Sequence, residues 1–347
     1  AGHVTANIAL LPALQAAGYE IAYVGSYEGI EKKLIADFNI PYTGISTGKF
    51  RRYLDPKNFS DPFRVMKGFV EARNYLKNYQ PDVVFSKGGF VSVPVVRAAA
   101  SLHIPCIIHE SDMTPGLANK LCIPVAEKVC CNFPETMKNI PADKAVLTGS
   151  PIRAELAEGS KLAGLNMCGF TANKPVIMVI GGSLGAANVN KAVRDALPKL
   201  LEDFQVVHLC GKDKIDNLLL NTPGYKQFEY IKAELKDIFA MADIVISRAG
   251  ANAICELLAL KKPNILIPLP AASSRGDQLL NAASFEAQGY SIVLNEDDIT
   301  TNLLVDKVHE LYFNRQNYVD AMSKSHQMDA VKTIMELINA AADKKTN

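Results

Sequence analysis

No Cys-x-x-Cys pair and no Asp-x-Asp occurs anywhere in these 347 residues, and no apolar run approaches the roughly 20 residues of a membrane span. The seven cysteines, at 106, 122, 130, 131, 168, 210 and 255, are odd in number and lie mostly inside apolar runs. Without paired spacing they read as buried free thiols of a reducing compartment, not as a disulfide framework. His109-Glu110 is the nearest thing to a metal-binding pair, but no third ligand stands at a suitable spacing, so no metal and no other cofactor is expected. No signal peptide pattern is visible. A formal net charge of +1 offers nothing to a nucleic-acid backbone.

What is present is a chain built to bury large cores. Hydrophobic residues make up 48% and charged residues 21%, and the length suits two domains. Short β-rich apolar runs alternate with helical stretches, the pattern of βαβ units on parallel sheets. In the first half the expected strands are Ile21–Gly25, Tyr42–Ile45, Val83–Ser86, Cys106–His109, Lys128–Cys131 and Ala145–Thr148. The expected helices are Thr5–Ala17, Asp61–Tyr79 and Pro115–Pro124. The pattern restarts with strands Val176–Ile180, Gln205–Leu209, Ile244–Ser247, Asn264–Ile267 and Ser291–Leu294. Helices Ala187–Leu201, Leu235–Met241, Asn252–Leu260, Gln278–Gln288 and Thr301–Tyr312 alternate with them. The polar stretch Ala157–Lys174, with three glycines and no clear period, reads as a linker. A last helix is expected at about Tyr318–Ala342. The expected division is therefore 1–156 and 157–324, with the helical end, about 325–347, packing back on the first half.

The halves resemble each other. With Gly2 set on Gly185, Asn7 meets Asn190, Ala9 meets Ala192 and Leu14 meets Leu197. Two Rossmann-like domains, each opening with strand, glycine turn and helix, follow from this match. Ala1-Gly2-His3 reads as the middle of such a turn, so an initiator Met, a first strand and part of the glycine loop are expected ahead of it.

Four turns carry the polar chemistry. In Val176–Ala187 a buried strand runs into Gly181-Gly182-Ser183-Leu184-Gly185 and then a helix. Glycines let the backbone approach a ligand, and the following helix start offers free N–H groups and a partial positive charge suited to a diphosphate. The spacing is not that of the dinucleotide fingerprint, and a tight turn without ligand would use the same residues. Ser86-Lys87-Gly88-Gly89 repeats the arrangement at the end of a first-half strand, where open α/β sheets bind ligands. Ser247-Arg248-Ala249-Gly250-Ala251 opens a helix that carries Glu256, a carboxylate able to accept from two vicinal hydroxyls, ribose above all. Ser274-Arg275-Gly276-Asp277-Gln278 opens another, with Gln278 a candidate sugar ligand. His109-Glu110-Ser111-Asp112 follows an apolar run, and His3 stands in the first turn, where a histidine serves as base or as a structural residue.

In this order, G-H, S-K-G-G-F-V-S-V-P, H-E-S-D-M-T-P-G-L-A-N-K, G-S-P-I-R, G-G-S-L-G-A, S-R-A-G-A-N-A-I-C-E and R-G-D-Q-L-L-N-A closely resemble glycosyltransferase family 28. These bacterial N-acetylglucosaminyltransferases complete the peptidoglycan lipid precursor, and the resemblance covers almost the whole chain. It implies the GT-B fold, two Rossmann-like doubly wound α/β domains separated by a deep cleft. It implies UDP-N-acetylglucosamine as donor and lipid I, the undecaprenyl-pyrophosphoryl-muramoyl pentapeptide, as acceptor. Transfer would invert the anomeric carbon at the muramoyl 4-hydroxyl, without metal, in keeping with the missing Asp-x-Asp. The donor site carried over is Gly2, Arg153, Gly181, Gly182, Ser183, Gly185, Asn190, Ile231, Arg248, Gly250, Ala251, Glu256 and Gln278. The acceptor or cleft side is Gly88, Gly89, Glu110, Asp112 and Asn119, with His3 as the candidate base. Some relatives carry Asn where Asp112 stands; Asp accepts from a sugar hydroxyl but cannot donate to an N-acetyl carbonyl.

Between Lys49 and Arg73 cations mix with apolar side chains. Arg51, Arg52, Phe63 and Phe69 are read as a peripheral docking patch for the anionic cytoplasmic face of the membrane, where the lipid acceptor lives. Other cell-wall synthesis proteins are further candidate partners. The alternatives are a related GT-B transferase acting on another lipid, a UDP-N-acetylglucosamine 2-epimerase, and a non-catalytic binding protein of the same fold. A nicotinamide dehydrogenase is disfavoured by the glycine spacing.

Overall fold

The computed structural model describes residues 2–48, 61–181, 186–271, 276–325, 327 and 329–346. The chain divides into two compact units, residues 1–153 with 329–347, and residues 154–328.

Unit 1 runs α1 (Gly2–Ala16), β1 (Tyr23–Ser26), α2 (Ile30–Ile35), β2 (Tyr42–Ile45), α3 (Asp61–Tyr79), β3 (Val84–Ser86), α4 (Ser92–Ser101), β4 (Cys106–Glu110), α5 (Leu117–Cys122), β5 (Lys128–Cys131), α6 (Pro134–Met137) and β6 (Ala145–Leu147). Unit 2 follows with α7 (Lys161–Cys168), β7 (Val176–Ile180), α8 (Ala187–Asp203), β8 (Gln205–Leu209), β9 (Tyr225–Phe228), α9 (Leu235–Met241), β10 (Ile244–Ser247), α10 (Ala251–Ala259), β11 (Asn264–Leu266), α11 (Asp277–Ala287), β12 (Ser291–Val293), α12 (Thr301–Phe313) and α13 (Arg315–Ser323). The chain then returns to unit 1 as α14 (Ala330–Thr346).

Every strand pair is parallel. Unit 2 holds one six-stranded sheet in the order β12-β11-β10-β7-β8-β9. Its central strands are buried on both faces, which is why β7 and β10 are near-continuous Val and Ile. In unit 1, β1 pairs with β2, and β3 to β6 form a four-stranded sheet. One core cluster joins Ile45, Leu76, Val96 and Ile108, bringing together β2, α3, α4 and β4. Another joins Leu10 of α1, Ile107 of β4 and Ile334 and Ile338 of α14. Adjacent residues Ile107 and Ile108 thus serve opposite faces of one strand. All seven cysteines are buried and free; burial pushes the Cys106 thiol up to about 12, which removes thiolate reactivity.

Four expectations are corrected. The first helix starts at Gly2, so Gly2 and His3 are helical and not part of a turn. The stretch 157–174 is no linker: α7 is capped by Ser160, which accepts from the Ala163 N–H at 3.2 Å, and stops at Gly169 with φ +68°. Its glycines serve close packing. A Cβ on Gly159 would lie 2.0 Å from the Lys236 carbonyl oxygen, and one on Gly164 2.4 Å from that of Asp237. The closing helix is two, α13 and α14. Between them the Gln327 N–H donates to Ser325 Oγ at 3.2 Å, and Asp329 opens α14 by accepting the Lys332 N–H at 3.1 Å. Finally, β9 is an edge strand whose Tyr-Lys-Gln-Phe carries too little apolar signal to be read from sequence.

Gly164 sits inside a helix, where alanine is intrinsically better by about 1 kcal/mol. The contact with Asp237 outweighs that gain, because overpacking costs about 1–3 kcal/mol. Gly164→Ala is therefore expected to lower the urea midpoint of the protein; a raised midpoint would show that α7 does not pack this closely.

Candidate functional site

In unit 2 the strand order reverses around β7, with β8 on one side and β10 on the other. The register pairs Ile180 with Ser247, and Ser247 with Leu266. The chain therefore leaves β7, β10 and β11 side by side on one edge of the sheet. Gly181 follows the first, Arg248–Gly250 the second and Ile267–Pro270 the third. Helices α8, α10 and α11 start from these exits. A carboxyl edge at a strand-order reversal is where open α/β sheets bind ligands, and three helix N-termini make it favourable for anionic groups.

Gly250 caps α10, and Ala251 is its first residue. Glu256, half-buried, lies later on the same helix. Gln278, in the first turn of α11, accepts the Leu269 N–H at 3.0 Å and so ties the β11 exit to that helix. Asn281, one turn on, donates to the Ala249 carbonyl at 3.0 Å. Ile231 is half-buried in the loop after β9. Gly182, Ser183 and Gly185 lie outside the described residues, as do Ser274 and Arg275.

Two expected ligand residues face inward instead. Arg248 is buried; one guanidinium nitrogen donates to the Ile267 and Pro268 carbonyls at 3.0 and 3.1 Å, and the other pairs with Glu296. Glu296 also accepts from Asn188 at 2.6 Å. Arg248 thus locks the β10 and β11 exits to the start of α8 and is taken up by protein acceptors. Asn190 is buried in the first turn of α8, donating to the Cys210 carbonyl and accepting from His208 at 2.9 Å each. Burial pulls His208 down to about 3, so it is a neutral member of this network.

In unit 1, β3, β4 and β6 deliver their turns to a second carboxyl edge. Gly88 and Gly89 have φ of +93° and +90°, a region open to glycine and strained for other residues. A Cβ on Gly88 would also press on Asn119, 3.3 Å away. The buried Glu110 carboxylate accepts from the N–H groups of Asp112 and Gly116 at 2.8 and 3.1 Å, and from Asn119 at 2.8 Å. Asn119 also donates to the His109 carbonyl at 3.1 Å. Glu110 and Asn119 therefore staple the loop from Ser111 to Gly116; Asp112, half-buried, sits on that loop. A network missed by sequence reading lies beside it. The buried Lys87 ammonium donates to His109 Nδ1 and to Ser111 Oγ, at 2.7 Å each, and His109 Nε2 donates to the Gly149 carbonyl at 2.8 Å. His3 Nδ1 donates to the Lys87 carbonyl at 3.1 Å. Its ring is exposed by area, yet crowding strips enough water from it to lower its pKa, and the Lys87 charge lowers it further. Burial first, and Lys87 second, hold His109 well below 6.5. The Lys in Ser-Lys-Gly-Gly was the available signal.

A cavity of about 500 Å³ also opens in unit 1, with Leu10, Leu14, Tyr79 and Phe85 among its walls. It lies between β1 and β3, the place β7 takes between β8 and β10 in unit 2. Its lining is mixed, aliphatic and aromatic side chains together with His3, Lys87, Gly88 and Gly89. Arg153 is half-buried, and its Nε has no hydrogen-bond partner among the described residues. Of the surface patch, Phe63 is 79% exposed, whereas Phe69 packs against the unit 1 core and is withdrawn from it. Arg51 and Arg52 lie outside the described residues.

Residues 1–131 match the glycosyltransferase family 28 N-terminal domain, and residues 176–338 its C-terminal domain. Over 338 residues the chain is 64% identical to the UDP-N-acetylglucosamine–N-acetylmuramyl-(pentapeptide) pyrophosphoryl-undecaprenol N-acetylglucosamine transferase of Lachnospira eligens, covering 97% of this chain and 96% of the relative. The protein of the same name from Lachnoclostridium phytofermentans is also 64% identical, with 97% and 95% covered. Among solved structures, MurG of Acinetobacter baumannii is similar with a TM-score of 0.76 at 28% identity, over 98% of this chain and 96% of that one.

Removing one partner of a buried ion pair costs about 3–5 kcal/mol, because the other charge is left desolvated. Arg248→Met strands Glu296, so it is expected to lower the unfolding free energy by about 3 kcal/mol. Arg248→Met combined with Glu296→Gln should recover part of that loss in the same denaturant titration; equal stability of the single variant and the parent would refute the lock.

Proposed function

The chain belongs to glycosyltransferase family 28, and from that premise we propose that it is a MurG-type enzyme moving N-acetylglucosamine from UDP-N-acetylglucosamine to lipid I, giving lipid II for peptidoglycan synthesis. The observation that carries this is 64% identity to a transferase of that specificity over nearly the full length of both chains. That relative is named a transferase, which leaves the epimerase alternative without comparable support.

Unit 2 is the donor side in this reading. The β7 exit with Gly181–Gly185 takes the diphosphate, Glu256 the ribose hydroxyls and Gln278 the sugar. The aligned starts of α8, α10 and α11 support it, since oriented N–H groups can stabilise a leaving diphosphate where no metal does so. Arg153, the last residue before unit 2, carries a guanidinium suited to phosphate, and its Nε lacks a partner among the described residues. Gly250 and Ala251 act through their backbone, Ile231 through apolar contact, and Arg248 and Asn190 from beneath. Unit 1 is the acceptor side, with Gly88, Gly89 and Asp112. His3 Nε2 removes the proton of the muramoyl 4-hydroxyl as its oxygen attacks the anomeric carbon. The bond from that carbon to the diphosphate breaks, UDP leaves, and the configuration inverts.

The lipid acceptor calls for a membrane surface. Among the described residues no helix is long and apolar enough to cross one. On α3, Phe63, Met66 and Val70 are 79%, 64% and 50% exposed and share one helix face by their spacing. Arg64 and Lys67 lie exposed among them, and Leu117 and Leu121 are exposed on α5. This mixture suits peripheral docking on the anionic cytoplasmic leaflet.

Incubation with UDP-N-acetylglucosamine and a lipid I analogue should release UDP and give a disaccharide product; donor binding without product would reject the assignment. In that assay Glu256→Ala should raise the donor KM at least about tenfold, equivalent to about 1.4 kcal/mol of binding. An unchanged KM would take Glu256 out of the donor site. For docking, Phe63→Glu with Met66→Glu should cut sedimentation with anionic vesicles while leaving activity on a water-soluble acceptor intact; undiminished sedimentation would end that reading.

A further inference from the structure

The charge that the proposed reaction leaves unused is Lys87. Lys87 is 2% exposed, and its ammonium contacts His109 and Ser111. An ammonium has no lone pair, so Lys87 must donate to His109 Nδ1. That makes His109 the Nε2–H tautomer, in keeping with its bond to the Gly149 carbonyl. A carbonyl has no proton, so His3 must donate Nδ1–H to Lys87. His3 then presents Nε2 with its lone pair free. The Lys87 backbone that receives His3 belongs to a turn with two positive-φ glycines, and the side chain clamps that turn to β4 and, through His109, to Gly149 beyond β6.

We propose that Lys87 is the positioning residue of the reaction: its carbonyl fixes His3 in the tautomer that exposes Nε2, and its buried ammonium anchors that carbonyl. This rests on His3 as the base. The charged and titratable groups around His3 among the described residues are Lys87, Asp112 and His109. After crowding, the Lys87 charge is the strongest influence lowering the His3 pKa, and Asp112 opposes it. A lowered pKa keeps the ring unprotonated to lower pH. Without the Lys87 charge the pKa rises, and the acidic limb of kcat moves to higher pH.

The test combines nitrogen NMR of protein labelled with 15N-histidine and steady-state kinetics. Six histidines are present, and His3 is assigned as the resonance lost in His3→Gln. In the unaltered enzyme His3 should show the Nδ1–H tautomer; an Nε2–H tautomer overturns the proposal, and this measurement needs no variant to fold. Lys87→Met keeps the volume and removes the charge. It should raise the His3 titration midpoint, shift the acidic limb the same way, and lower kcat roughly 10- to 100-fold through misplacement of the base. The donor KM should stay within about twofold, since uniform binding is untouched. A folded Lys87→Met with an unmoved His3 midpoint and full kcat overturns the proposal. Full kcat in His3→Gln would instead remove His3 as base, an outcome separate from the tautomer reading.

Discussion

Parallel pairing is the constraint on which the rest depends. A parallel strand cannot be followed by a tight hairpin; the chain must cross over and re-enter at the same end. Within each unit every strand therefore leaves the sheet on the same edge, and every helix that follows begins there. Polar turns, glycines and helix N-termini collect on that edge because the apolar strands bury both faces of the sheet. The chemistry of both units sits on loops whose positions are set by a core that takes no part in it.

Within that frame much of the polar machinery is engaged by the protein itself. Glu110 and Asn119 hold a loop, Arg248 and Glu296 tie strand exits to a helix start, and Asn190, in the first turn of α8, pairs with His208. Each is a buried polar group that had to find partners, because a carboxylate or guanidinium left unpaired in the interior costs several kcal/mol. For Arg248 these partners come from a neighbouring exit, so satisfying it also fixes the loops relative to one another. Lys87 belongs with them, with the difference that its charge reaches a residue, His3, open to solvent.

Strand placement was largely legible. Tyr42–Ile45, Lys128–Cys131, Val176–Ile180, Gln205–Leu209 and Ile244–Ser247 stand where periodicity puts them, because runs of Val, Ile and Cys between turn residues have few other uses. The helix Lys161–Cys168 was not legible as such: its glycines look like loop residues, and their purpose, contact with the Lys236 and Asp237 backbone, lies some 70 residues away in sequence. The edge strand Tyr225–Phe228 was hidden for the opposite reason, since an edge allows an exposed Lys226, and the buried Gln227 is held by Arg194 and Asp216. Phe69 and Phe63 look alike in sequence; the turn of α3 sends one into the core and the other to solvent.

Residue order alone determined the α/β class, the parallel sheets, the glycine turns after their strands, and, through long motifs, the family. These are local or collinear properties, carried by apolar period and turn chemistry. Tertiary structure alone decided which polar side chains in those turns face outward. Arg248 and Asn190 sit inside motifs shared with the family, yet their hydrogen-bond partners lie at or beyond other strands, up to about 50 residues distant for Arg248, whereas Glu110 and Asn119 pair within one loop. A buried donor must be satisfied by whatever the fold brings beside it, and that neighbour is not written next to it in the chain.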